Sequence, residues 1–383
     1  MTEHPYILLW LVVLTALVLI QILVLLFSEK VREKYRRALP FSRAPENPIL
    51  SPNRSNWWEA EAVFNPAALL ADGRVHLFYR AMGHDGVSRI GYASSSDGIH
   101  FDERLTYPVY APIKGFGIPH EPTGPGTEVY DPANYPSGGG WAGCEDPRAV
   151  QIDDKIYMTF VAFDGWGFVR MAMTSLPVQH LRKRRWFWSA PAFLSKPNEV
   201  HKNWVFFPEK INGRYAVLHT ISPEIRIHYV DRLEDFEDEG TFVESSYQRS
   251  GRKDHWDSWV RGAGAPPLKT SEGWLLFYHA MDKNDPDKYK VGAMLLDVND
   301  PTKVLYRSPE PLLSPDEWYE NDWKPGVVYV CGAAIIGGDL LLYYGGGDKY
   351  IAAAKAPLAD FLAALKGGHT NPIHLARIAL EIE

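Results

Sequence analysis

Glu145 and Asp146 stand side by side in the run Trp141-Ala-Gly-Cys-Glu-Asp-Pro-Arg148, between small residues and an arginine. Pro147 biases Asp146 towards an extended backbone, and a β-rich run, Ala149-Val-Gln-Ile152, follows it. An acid fixed on ordered backbone beside a cation suits general acid catalysis. The plainer alternative is a turn in which Asp146 and Arg148 form a structural ion pair.

Four further stretches mix carboxylates, cations, amides and indoles. Residues 57–66 (WWEAEAVFNP) hold Glu59, Glu61 and Asn65, and residues 201–210 (HKNWVFFPEK) hold Lys202 and Asn203. Glu224 follows Ser222-Pro223, and residues 254–267 (DHWDSWVRGAGAPP) hold Asp257 and Arg261. Such mixtures suit a polyol ligand, because carboxylates and amides bind hydroxyls while indoles stack on the apolar sugar face. No HExxH, EF-hand, GxSxG, Walker or Rossmann pattern occurs. Cys144 and Cys331 are the two cysteines, too few for a disulfide framework or a thiolate metal site. No metal or organic cofactor is therefore expected. The net charge of −7, with no long basic run outside residues 28–45, argues against a nucleic-acid partner.

These residues need elements to hold them. Five pairs of β-rich runs recur, at 71–81 with 88–98, 152–165 with 168–175, 211–222 with 225–231, 271–282 with 289–297, and 337–348 with 349–357. Each first run opens on a Gly- or Asp-containing turn. Periodic sets of short strands predict an all-β, five-bladed β-propeller. Arg80, Asp164, His219, His279 and Asp348 end the first runs and would converge on a central funnel. A closing helix is expected at 357–365, before Gly367-Gly368.

Residues 6–27 are almost wholly apolar. As a helix they would reach about 33 Å, enough to cross a bilayer. Lys30, Arg32, Lys34, Arg36 and Arg37 follow, which predicts a single-pass anchor with the remainder in the cytoplasm. The expected organisation is a transmembrane anchor at 1–28, a basic juxtamembrane linker at 29–45 and a propeller at 46–383.

Taken together, the motifs resemble glycoside hydrolase family 130, the β-mannoside phosphorylases and β-mannosidases. The matching runs include NPIL at 47–50, EAEAVFNPAA at 59–68, GCEDPR at 143–148, HKNWVFFPEKINGRY at 201–215, WVRGAGAPP at 259–267, GWLLFYHAMD at 273–282 and YYGGGD at 343–348. The resemblance spans about 47–365 and implies a five-bladed propeller that attacks the anomeric carbon with inversion. It implies that Asp146 supplies the proton through a sugar hydroxyl. In a phosphorylase, inorganic phosphate would be the co-substrate, held by Lys202, Asn203, His279 and Tyr289. Glu61, Asn65, Arg80, Arg89, Glu145, Arg148 and Asp348 are the expected substrate-binding residues.

One departure bears on the reaction. The family places an arginine after the Leu-His of the third blade, whereas this chain reads Leu218-His219-Thr220. Losing one charge-assisted contact costs about 1.5–3 kcal/mol, roughly tenfold or more in binding. The first expectation is therefore an inverting β-mannosidase, with Asp146 as acid and Glu224 or Asp257 activating water. The alternative is a phosphorylase releasing mannose 1-phosphate. A third reading is a non-catalytic or glycosyl-transferring membrane protein that holds a glycan.

Overall fold

Asp72-Gly73, Asn212-Gly213 and Gly337-Gly338 all adopt positive φ, the backbone that a two-residue turn between twisted strands requires. Each joins the first two strands of an antiparallel sheet. The structure is a computed structural model that describes residues 41–114, 117–118, 137–164, 168–238, 240–246 and 250–367, together with Thr15, Val18 and Gln21. A compact unit begins at Phe41.

Among the described residues, the main strands form five blades. Blade 1 comprises Ala62–Ala71, Arg74–Met82, Val87–Ser95 and Glu103–Arg104. Blade 2 comprises Ala142–Ile152, Lys155–Asp164, Val169–Pro177 and Ala192–Phe193. Blade 3 holds Val205–Phe206, Tyr215–Thr220 and Arg226–Val230. Blade 4 holds Trp259–Ala263, Gly273–Asp282, Asp285–Leu296 and Val304–Arg307, with Leu268–Thr270 beside its second strand. Blade 5 comprises Val328–Ile336, Asp339–Gly346 and Tyr350–Pro357, and its outer strand is Ser42–Arg43 from the start of the unit. Ser42 and Arg43, expected in a linker, thus belong to a sheet.

The core lies between the blades, because each sheet is apolar on both faces. Ile156, Met158, Phe160 and Ala162 pack towards blade 1. Tyr157, Val161 and Phe163, the alternate residues of the same strand, pack towards blade 3. Blades 3 and 4 share Leu218, Leu276 and Met294, and blades 5 and 1 share Tyr343, Ile351, Val63 and Leu77. The innermost strands approach closely at Gly332, where a Cβ would come within 2.6 Å of the Ala68 nitrogen.

Three blades carry the same buried lock. In blade 1, the Tyr79 hydroxyl and Arg104 both donate to Glu59 at 2.8 Å. In blade 4, Tyr278 donates to Asp257 at 2.7 Å, with Arg252 at 2.8 Å and Arg307 at 2.7 Å. In blade 5, Tyr344 donates to Glu320 at 2.9 Å and Arg43 grips it with two bonds, at 2.8 and 2.9 Å. All three carboxylates are fully buried. The tyrosine comes from the second strand and one arginine from the outer strand, so the lock ties the edge of each blade to its middle.

The expected transmembrane anchor at 6–27, with the single-pass, cytoplasm-facing placement and the bilayer contact built on it, is corrected. Among the described residues no helix is long and apolar enough to cross a membrane. The longer described helix, Leu358–Gly367, has 10 residues and reaches about 15 Å, half a bilayer core. The apolar segment itself lies outside the described residues except at Thr15, Val18 and Gln21.

Candidate active site at the centre of the ring

Asn65-Pro66 and Asp146-Pro147 occupy matching places on the innermost strands of blades 1 and 2. At both, the strand register shifts, between Phe64 and Ala67 and between Glu145 and Arg148. Asn65 and Asp146 each have φ 48, a left-handed backbone that Asn and Asp tolerate better than most residues. Bulges of this kind re-aim a side chain. Blades 4 and 5 bulge likewise beside Arg261 and Cys331, and Asn203 in blade 3 has φ 67. Gly262 allows the close approach there, since a Cβ would fall 2.9 Å from Asn203.

The bulges at Asn65, Asp146 and Arg261, with Asn203, line a cavity of about 130 Å³, many times the volume that one water needs. Its wall includes Asn65, Arg80, Ser137, Asp146, Lys202, Asn203, Arg261, Tyr289, Lys324, Tyr329 and Asp348. Asp146 accepts Asn65 at 2.7 Å and Arg80 at 3.2 Å on one oxygen, Oδ1. Among the described residues its Oδ2 accepts no hydrogen bond. Burial pushes the Asp146 pKa up, but the charges of Arg80, Arg148 and Lys202 and the Asn65 bond outweigh it and hold it at about 2.

Glu145 lies behind this wall, fully buried. It accepts Arg80 at 3.0 Å, Ser137 at 2.6 Å and Lys202 at 3.0 Å, and so fixes the cations rather than touching a ligand. Arg148 is buried too. It donates to the Asp146 carbonyl at 2.6 Å, to Asn203 at 3.0 Å and to the Gly264 carbonyl at 3.2 Å, joining three blades beneath the cavity. Asp348 lines the cavity and pairs with Lys324 at 3.0 Å.

Several expected site residues lie elsewhere. His279 is fully buried and lies behind Tyr329, their rings stacked at 3.8 Å and 12°. Burial, helped by the nearby Arg148 charge, lowers its pKa to about 3 and keeps it neutral. Tyr329 takes its place on the wall and donates to Asn203 at 2.7 Å. The Glu224 side chain is 64% exposed and pairs with Arg226, so it is not brought into the cavity. Asp257 is enclosed in the blade 4 lock, where its oxygens are spent on Arg252, Arg307 and Tyr278. Glu61 and Arg89 do not line the cavity either, and pair with His84 and Asp85 respectively. Sequence reasoning singled out Arg261 within the stretch 254–267 but missed Ser137, Lys324 and Tyr329 as wall residues.

Asp257→Asn should cost about 1–3 kcal/mol of stability by weakening charged hydrogen bonds, with kcat/KM of the folded enzyme kept within about threefold. A denaturant melt and a rate assay check this together. A rate loss far larger than threefold would return Asp257 to the chemistry.

The family described as beta-1,4-mannooligosaccharide phosphorylase, glycoside hydrolase family 130, matches residues 41–366. The chain belongs to glycoside hydrolase family 130. It is similar to a 1,2-beta-oligomannan phosphorylase of Thermoanaerobacter sp. (strain X514), 35% identical over 84% of this chain and 99% of the relative. A beta-1,2-mannobiose phosphorylase of the same organism is 34% identical over 82% of this chain and 96% of its own length. The solved beta-1,2-mannobiose phosphorylase of Listeria innocua, 24% identical, superposes with a TM-score of 0.64 over 86% of this chain and 99% of that one, and shows the shared fold. As a family 130 member the chain is a glycoside phosphorylase or glycosidase. Phosphorylases of the family take inorganic phosphate as co-substrate.

Proposed function

We propose that this family 130 enzyme is a β-mannoside phosphorylase, acting on β-1,2-linked manno-oligosaccharides and releasing mannose 1-phosphate. The observation that carries this reading is the charge of the cavity wall. Four cations, Arg80, Lys202, Arg261 and Lys324, face two carboxylates, Asp146 and Asp348. A surplus of positive charge suits an anionic nucleophile. Hydrolysis needs a second carboxylate to activate water. Glu224 and Asp257 lie outside the cavity, and Asp348 is engaged by Lys324. The hydrolase expectation therefore gives way to its alternative. Arg261 and Lys324 supply positive charge that Thr220 does not. The linkage follows the names of the relatives at 35% and 34% identity, whereas a beta-1,4-mannooligosaccharide phosphorylase of Ruminococcus albus that also matches most of the chain is 27% identical.

Asp146 acts as the acid towards the glycosidic oxygen, and Asn65 and Arg80 fix its carboxylate. Lys202, Arg261 and Tyr289 receive the phosphate. The deciding experiment incubates the enzyme with β-1,2-mannobiose, with and without inorganic phosphate, and identifies the products. Mannose 1-phosphate formed only with phosphate is expected. Free mannose at an equal rate in both conditions would make the enzyme a hydrolase. Lys202→Met should raise the KM for phosphate about tenfold or more through loss of a charge-assisted contact. A phosphate KM within twofold of wild type would remove Lys202 from the anion site.

A further inference from the structure

Trp57 and Trp58 are neighbours with opposite fates. Trp58 is 1% exposed and donates its indole N–H to the Thr106 carbonyl at 3.0 Å. It is part of the core between blades 5 and 1. Trp57 is 63% exposed, so packing into the core does not explain it. One face of its indole is nevertheless held. The Arg89 guanidinium lies 4.6 Å from a Trp57 ring centroid. Arg89 is fixed in turn by Asp85, at 3.1 and 2.7 Å, and by the Val87 carbonyl at 3.0 Å. The backbone below is closely packed as well, since a Cβ at Gly83 would fall 2.1 Å from the Trp57 carbonyl oxygen. The turn that presses on Trp57 therefore also carries His84 and Asp85.

His84 on that turn forms a polar pair with Glu61, in which His84 is 77% and Glu61 31% exposed at the side chain. Glu61 lies four residues before Asn65 on one extended segment, on the order of 13 Å from the cavity wall. The segment that leads into the cavity residue Asn65 thus carries an apolar face held by Arg89, with a carboxylate and an imidazole on the same stretch of surface. Aromatic faces stack on pyranose rings, and flanking polar groups take the hydroxyls.

We infer that Trp57, with Glu61 and His84, forms a distal subsite that holds a further pyranose ring of a longer β-mannoside while its cleaved end occupies the cavity. The inference rests on the β-mannoside reading above and makes chain length a specificity of the same site. Arg89 acts here as a positioning residue, through the indole. Its expected role as a direct substrate contact is replaced by that one.

The test compares kcat/KM for β-1,2-mannotetraose and β-1,2-mannobiose, each with inorganic phosphate, in wild type, Trp57→Ala and Trp57→Phe. In Trp57→Ala the tetraose-to-biose ratio should fall about three- to tenfold, the range an aromatic stack supplies. Trp57→Phe should recover part of that loss. A ratio that stays at the wild-type value, or both substrates losing equally, overturns the subsite alone. Wild-type enzyme that turns over neither sugar overturns the β-mannoside reading, and the subsite with it. Melting temperatures within about 1–2 °C of wild type are expected for both variants, because the side chain buries little of its surface.

Discussion

Asp146→Asn is expected to lower turnover of β-1,2-mannobiose by about 10²- to 10⁴-fold, the range that a positioned general acid contributes. The amide keeps the shape, and it can accept the Asn65 and Arg80 bonds, at 2.7 and 3.2 Å in the wild type. It cannot deliver a proton. Substrate binding should persist, so the loss belongs in kcat. A variant that retains more than about a tenth of the wild-type rate would sink the assignment. The pKa of about 2 sharpens the point, since this carboxyl is ionised at neutral pH. An anion bound against Lys202 offsets part of the positive field and moves the pKa back up, towards a working acid. The same depression has a sign for stability. A carboxyl with a folded pKa below its unfolded value stabilises above about pH 4, and that contribution is lost as pH falls through about 2. The stability gap between wild type and Asp146→Asn should therefore narrow from neutral pH to about pH 3 in urea melts.

The second large effect lies far from the cavity. Arg43→Ala should destabilise the enzyme by about 3–5 kcal/mol, the cost of leaving a buried carboxylate without its cation. Glu320 is fully buried, whereas the Arg43 side chain is only 22% exposed. The melting temperature should fall on the order of 10 °C. Arg43→Lys should recover only part of this, because an ammonium cannot make the two parallel bonds of the guanidinium. A chain begun at residue 46 should fare worse, having lost the strand as well as the charge. A melt of Arg43→Ala within about 2 °C of wild type would show that the outer strand of blade 5 does not depend on this pair.

Much of the scaffold was legible because its signals are local. The turns at Asp72-Gly73 and Asn212-Gly213, and the alternating runs after them, mark the second and third strands of their blades. Asp146 and Asn65 were named from the runs that hold them, but the extended backbone that Pro147 predicts at Asp146 is replaced by a left-handed one, φ 48, at a bulge. The side chains that failed were those whose partners are remote in sequence. Asp257 looks catalytic beside Trp256 and Arg261, until Arg307 arrives from the outer strand. Even so, the lock leaves a trace, since Glu59, Asp257 and Glu320 precede their tyrosines by 20, 21 and 24 residues. His279 and Tyr329 could not be ordered from sequence. Which of two stacked rings faces a cavity depends on the packing of two different blades, and no periodicity encodes it. Lys324 reaches the wall from the segment between Glu320 and Val328, outside any strand, where pattern reading has no purchase.

The pairing of Arg43 with Glu320 spans 277 residues, and on the ribosome that distance is also a time. At about 5–20 residues per second, the first strand emerges roughly 15–55 s before its partner exists. From the completion of its own strands until blade 5 is made, blade 1 presents Val63, Leu77 and Tyr79, the face that blade 5 will later cover. A message cut short after the fourth blade would yield four sheets with no seam to close. Its two end sheets would stay bare and prone to association. The last strands to be made therefore decide whether the first ones were worth making, and a C-terminal nonsense change should be read in the cell as a defect of the whole ring.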